Sequence, residues 1–461
     1  MGTKLSSNRN LREAVTKFLI ATEGAACRNT AEVQAAMRKM ATGQNASRMV
    51  EGVVFDVDGA LQKDSLTAAQ TISRSLGPKI SDESSIVSGL WQAAAKRLVN
   101  GQPTAKEAAV AFLNDVEQRA ALGRRYIVAN HLIHREPGIQ KLEVGPVQII
   151  DGSLVVDDLN ASHSNDRWMA ELREPGLTVR PDGAFSVGVP INTWVVTVTA
   201  ARENLAEEAA WLAGVATSLL RLTAMPSLGP FVRSYGEIEP HPFSPRSGHN
   251  DAITSDHDGV SSGGWSMPTQ YVISPTTVNY CGSEEFKTIA DQVFGPAKKS
   301  LAKRVSQGLG WLARGRRSED RAERFLFFFT AIEALLSSDD KTAPLVQTIS
   351  RHAASILTDD HGSRAKNAKL IKDLYAFRSA LVHSGTRDVS KRQSNTAEHI
   401  AHYLFWRVLD QCDLGQTFED FQRHLEDCSY GAPWGDDEIH HLGSAPRWPA
   451  PPPPSSLPPP A

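Results

Sequence analysis

Residues 324–336, RFLFFFTAIEALL, constrain this chain more than any other stretch. On a helix, Phe325, Phe328, Phe329, Ile332, Leu335 and Leu336 fall on one stripe, and Leu326 and Phe327 leave the remaining surface nearly as apolar. Such a helix belongs at the centre of a bundle. Its one internal acid, Glu333, sits at the edge of the stripe, where a carboxylate is costly to bury unless it is paired or hydrogen-bonded. The stretch LYAFRSALVHSG at 374–385 supplies a partner. Leu370, Leu374, Phe377 and Leu381 form its expected apolar stripe, with Arg378 at the edge, so the patterns predict an Arg378–Glu333 pair between two core helices. Arg378 and His383 are five residues apart, which is about 140° around a continuous helix. They converge only if the helix ends or bends between them, or if two chains contribute. Gly385 is a good terminating residue and favours such a break.

The composition, with 41% apolar and 22% charged residues, describes a globular chain, and 461 residues suit two or three domains. A formal net charge of −3 excludes a global basic field, so any nucleic-acid contact must come from a local patch. One such patch precedes the apolar helix. From it Arg314, Arg316, Arg317, Arg321 and Arg324 are the candidate phosphate contacts, against the alternative of a solvated helix face. Trp311 in the same patch suits base stacking, whereas its neighbours Leu309 and Leu312 suit a core anchor. The four cysteines, Cys27, Cys281, Cys412 and Cys428, form no CxxC pair and read as reduced cytoplasmic thiols. No apolar run approaches a membrane span and no N-terminal signal pattern is present, so no membrane partner is expected. No phosphate-binding glycine loop or other cofactor motif stands in a strand–helix context, so no cofactor and no metal are expected.

The periodicity divides the chain into an α+β arrangement. Residues 1–120 read as helical, with Leu11, Val15, Phe18 and Leu19 in one repeat, Leu90, Ala94 and Leu98 in another, and a third helix over about 104–121. Residues 124–236 read as mixed α and β, with strands at 126–128, 147–150 and 193–199 and an amphipathic helix at 202–222. Residues 237–282 read as a loop or linker with room for a strand, and 283–430 as a helical bundle. The last segment, 431–461, holds ten prolines and reads as an extended or disordered tail, which a proline-recognition domain would be able to bind.

The two motif helices resemble those of the Apea-like branch of the HEPN family, in which an R-x4-H element closes the second helix. The segment RRYIVANHLIHREPGIQKLEVGPVQII is similar to the strands found upstream of such domains. The resemblance covers about 290–412 well, 124–222 loosely and 1–120 not at all. It implies a helical bundle that dimerises with the helix ends facing one cleft, and RNA as substrate. It also implies metal-independent cleavage, with the ribose 2′-hydroxyl attacking the adjacent phosphate to leave a cyclic phosphate and a free 5′-hydroxyl. His383 would then move the proton and Arg378 would hold the phosphate, with Glu333 and Ser379 completing the catalytic set. Nuclease members of the wider family usually carry Asn, Asp or His directly after the arginine, where this chain has Ser379. By analogy the role is stress response or phage defence. The competing reading is a non-catalytic HEPN module that binds RNA, nucleotide or protein.

Two further patterns carry less. VVFDVDGAL at 53–61 resembles the first motif of haloacid-dehalogenase phosphatases, with Asp56 and Asp58 as the aspartate pair. The usual Thr is Ala60, however, and no doubly wound pattern follows. His241, His249, Asp251, Asp256, His257 and Asp258 cluster in one polar loop, but their spacing fits no metal site.

Overall fold

The computed structural model describes residues 4–41, 47–77, 79–101, 103–163, 177–179, 185–187, 192–224, 253–257, 259–262, 271–337, 345–385 and 387–434. The chain forms two compact units, one from residues 1–126 with 197–209 and one from 127–196 with 210–461.

In the first unit α1 (Arg9–Ala25) and α2 (Thr30–Ala41) precede a hairpin of β1 (Ser47–Val50) and β2 (Val53–Asp56). Then come α3 (Gly59–Leu76), α4 (Glu83–Asn100) and α5 (Ala105–Ala121). The helix starts follow from short polar side chains that accept otherwise unpaired backbone N–H groups. Asn8, Asp58 and Asp82 cap α1, α3 and α4, and Thr104 with Glu107 forms a capping box on α5. Leu11, Val15, Phe18 and Leu19 pack with Leu90, Ala94, Phe112 and Leu113, and Phe18 meets Trp91 edge-on at 5.1 Å. The helical periodicity is therefore borne out, and the hairpin is an addition to it.

The chain continues with strands β3 (Arg124–Ala129), β4 (Ile133–Arg135), β5 (Lys141–Val144) and β6 (Val147–Asp151) and helix α6 (Gly152–His163), which fall in the second unit from residue 127 onward. Next are β7 (Leu177–Val179), β8 (Phe185–Val187), β9 (Asn192–Val198) and α7 (Leu205–Thr223). The chain continues with β10 (Ile253–Asp256), β11 (Gly259–Ser262), β12 (Tyr271–Ile273) and α8 (Pro275–Cys281). Seven helices complete it: α9 (Glu284–Phe294), α10 (Leu301–Arg317), α11 (Arg321–Leu336), α12 (Leu345–Leu357), α13 (His361–Ser384), α14 (Lys391–Gln411) and α15 (Phe418–Ser429). The main sheet runs β3-β9-β6-β5, with β6 antiparallel to both β5 and β9. The fold is thus mixed α and β with a helical C-terminal region.

Residues 127–196 and the helices from residue 210 onward fall in one unit. In β9, residues 193–196 are all buried, so both faces of this central strand need cover. Helix α6 supplies some of it through Val155 and Val156 against Ile150 and Val195, and α8 packs on β5. The stretch expected as a linker holds the β10–β11 hairpin, β12 and α8, with β12 pairing in parallel with β4.

Helix α11 packs against α10, α12, α13 and α14, and its six stripe residues are all fully buried, as the pattern predicted. Helix α10 carries three glycines in its interior, each under an aromatic ring. A Cβ on Gly308 would overlap Phe405, one on Gly310 would overlap Trp211, and one on Gly315 would lie 2.7 Å from Phe328. The helix gives up propensity at these positions so that neighbouring elements can approach closely.

One boundary and one helix face differ from the sequence expectation. Trp434, assigned to the tail, is buried against Phe421 and His424, and its Nε1 donates to Gln411 at 2.9 Å. The indole finds both an apolar seat and an acceptor, so the bundle extends to it; residues 435–461 lie outside the described residues. On α13 the buried face is Asn367, Ile371 and Leu374, and Phe377 is 41% exposed. The true stripe lies one step around the helix from the one expected. Among the described residues no helix is long and apolar enough to cross a membrane.

The glycine seats make a prediction whose sign is opposite to helix propensity. On an open helix face Gly→Ala stabilises by about 1 kcal/mol. Gly308→Ala should instead lower stability by about 1–3 kcal/mol through overpacking against Phe405. A fall in the urea midpoint with unchanged slope checks this, and a rise would show that the ring has room to move.

Candidate functional site

The predicted pair forms. The Arg378 Nη2 donates to Glu333 Oε2 at 3.0 Å, with side chains 24% and 15% exposed. Arg378 lies 5.9 Å over the Tyr375 ring, which meets Phe329 edge-on at 5.7 Å, so the pair rests on an aromatic shelf at the bundle edge. Burial raises the Glu333 carboxyl above its ordinary value, with Arg378 opposing it. The Arg378 Nε is buried and has no hydrogen-bond partner among the described residues. A buried donor left unpaired costs roughly 1–3 kcal/mol, and an incoming oxyanion would be a suitable acceptor for it.

His383 does not join this pair. Helix α13 runs unbroken through it and ends only at Ser384, where Gly385 takes the left-handed conformation at φ 67°. The break expected between Arg378 and His383 is absent, and the full rotation of about 140° separates them. His383 is exposed and lies one turn beyond the half-buried Ser379, on the same side of the helix. The four candidate residues therefore divide within one chain into two sets, Arg378 with Glu333 and Ser379 with His383.

The arginine strip is mostly turned inward. Arg324 is 2% exposed and donates to Glu398 Oε2 at 3.1 Å, and Arg316 donates to Glu398 Oε1 at 2.5 Å. The Arg314 guanidinium lies 5.2 Å from the ring centres of both Trp211 and Trp311. Arg317 is half-buried and reaches the backbone of α7 at Gly214. Of the five candidates only Arg321 is exposed. Most of these cations are thus occupied inside the protein: Arg316 on α10 and Arg324 on α11 share the buried carboxylate of Glu398, and Arg314 packs on two indoles.

That carboxylate, Glu398, was not anticipated. It and His402 sit four residues apart on the buried face of α14, within the stripe Ala397, Ala401, Leu404, Phe405 and Val408. A charged residue inside an apolar stripe is a signal for a buried pair, but sequence does not name the partner. The His402 Nδ1–H donates to the Glu398 carbonyl at 2.8 Å, and burial pushes its pKa down to about 3. His399 is likewise pushed down by burial to about 4, with the charge of Glu398 opposing the shift.

The remaining motifs have structural roles. Asp58 spends its carboxylate on the cap of α3, and Asp56 pairs with Lys39 at 2.8 Å in a two-stranded antiparallel hairpin. A phosphatase aspartate pair needs the end of a parallel sheet, which this is not. His241, His249, Asp251 and Asp258 lie outside the described residues; among those described, no group of three ligating side chains is placed to hold a metal. All four cysteines are free thiols, and burial pushes Cys281 and Cys412 up to about 12, which leaves them poor nucleophiles. No protein-family model, no curated protein and no solved structure matches this chain.

Two predictions follow from the buried charges. Glu398→Ala removes a charge partner of the buried Arg324 and the half-buried Arg316 and should cost about 3–5 kcal/mol in urea unfolding. A loss below 1 kcal/mol would mean that the arginines escape to solvent. Histidines 399 and 402 have folded pKa values depressed below the ordinary 6.5, so below that pH the unfolded chain binds more protons. Their contribution to stability is complete above about pH 6.5 and is lost as pH falls toward 4 and 3. His402→Phe should flatten the acid limb of a stability–pH curve; an unchanged limb would place the charging elsewhere.

Proposed function

We propose that the C-terminal helices form an Apea-like HEPN domain that acts as a metal-independent endoribonuclease, and that its site is shared between two copies of the chain. The observation that carries this reading is the Arg378–Glu333 pair on two packed core helices, with a spare buried donor on Arg378, beside an R-x4-H element. The exposed His383 supplies the imidazole, but from the wrong side of its own helix. A second copy related by a two-fold axis would bring its histidine to the first copy's arginine. Phe377 and Val382, 41% and 49% exposed near the end of α13, are apolar surface suited to such a contact.

In the reaction the ribose 2′-oxygen attacks the neighbouring phosphorus as a base removes its proton, and the bond to the leaving 5′-oxygen breaks as that oxygen takes up a proton. The products are a 2′,3′-cyclic phosphate and a 5′-hydroxyl. The guanidinium of Arg378 would stabilise the charge on the phosphorane, and His383 would transfer the proton. Ser379, beside His383, would donate a hydrogen bond to the phosphate. The broader role in stress or phage defence rests on the resemblance alone. The second reading, a non-catalytic HEPN module, is favoured by the use of the Arg378 Nη2 on Glu333 and by Ser379 in place of Asn, Asp or His.

Wild type, Arg378→Ala and His383→Ala incubated with total RNA in EDTA decide between them. Cleavage by wild type alone, with cyclic-phosphate ends, is the expected result; equal cleavage by all three would remove the motif from the chemistry. Mixing the two inactive variants should restore partial activity, because one site of each heterodimer then has both residues. Phe377→Asp should yield monomers by sedimentation and lose cleavage. A cleaving monomer would exclude the shared site.

A further inference from the structure

We propose that Trp311 and Phe327 form a stacking platform for unpaired bases of single-stranded RNA, across the half-buried strip of α11 from the Arg378–Glu333 pair; this rests on the reading of that pair as an RNA site. Phe325, Phe328 and Phe329 on α11 are fully buried, but their neighbour Phe327 is only half-buried. Its ring lies on that of the half-buried Trp311 with centroids 5.7 Å apart and planes inclined by 19°, a parallel stack. Phe327 has one ring neighbour among the described residues, so a nucleobase would be able to extend the stack on its second face.

The stack is held rigidly from behind. Trp211 meets Trp311 edge-on at 5.6 Å, Arg314 lies over both indoles, and Trp211 itself sits on the bare backbone at Gly310. Preorganised rings lose little entropy on binding, and Arg314 adds positive potential beside them. Position supplies the link to the ion pair. Leu326, Phe327, Thr330, Glu333 and Ala334 are the half-buried, solvent-side strip of α11, with Phe327 on one edge and Glu333 on the other. The two are six positions apart, about 9 Å along the helix axis and about 120° around it. A few nucleotides at roughly 3.4 Å each would span that distance. Rings accept a base only when its face is free, so duplex RNA is excluded from this platform.

The test uses the full chain in a His383→Ala background, with fluorescein-labelled oligoadenylate as probe, alone or annealed to oligouridylate. The single strand should bind more tightly than the duplex and quench tryptophan emission. Phe327→Leu, which keeps apolar bulk but removes the ring, should weaken binding about tenfold without changing the salt dependence, and Phe327→Tyr should restore it. Unchanged affinity in Phe327→Leu, equal binding of duplex, or no binding by the parent would each overturn the platform. Cleavage that needs Arg378 and His383 while Phe327→Leu binds normally would leave the nuclease standing and remove the platform. Ring-dependent binding with no cleavage by wild type would do the reverse.

Discussion

Glu398 lies between Arg316 and Arg324, and three helices of the bundle are fastened where they meet. Isolated, that carboxylate would be expelled by its desolvation cost; with two guanidinium groups on it, it is held. The apolar faces of α10, α11 and α14 would tolerate several relative shifts, since hydrophobic contact is not directional. The ion triad is satisfied in one arrangement. The glycine seats on α10 narrow the choice further, because each accepts a particular ring from a particular neighbour.

This central arrangement explains why the cations before α11 make a poor phosphate strip. Helix α10 and the first turn of α11 are packed against neighbours, so Arg316 and Arg324 serve the interior and Arg314 supports aromatic rings. It also explains why Arg378 faces Glu333 while His383 faces solvent. With α13 unbroken, the 3.6-residue period sends the two in different directions. In the proposed nuclease the second copy of the chain resolves this conflict, and the exposed Phe377 gives that copy an apolar surface.

Much of the architecture was legible from periodicity. The stripe of α11, the helices of the first unit and strand β9 follow from apolar spacing, which reports the face that must leave water. The Arg378–Glu333 pair was legible for the same reason: two charges at the edges of two core stripes have few other places to go. What periodicity blurred was phase. On α13 one step around the helix exchanged Phe377 for Ile371, since Leu, Phe and Ile give similar patterns and the neighbour decides which is covered. Trp434 followed proline-rich sequence into the tail by composition, yet an indole with a seat and an acceptor is worth burying.

By itself, then, the sequence determined the most strongly periodic helices, which helix is central, and which acid and base would be drawn together, because propensity, capping and apolar spacing act over a few residues. Only the tertiary structure decided that Arg316 and Arg324 belong to Glu398, that α13 continues past His383, and that residues 127–196 share a unit with the later helices. The first of these joins groups 74 and 82 residues apart in one buried space, where packing and desolvation, which spacing along the chain does not report, decide the pairing.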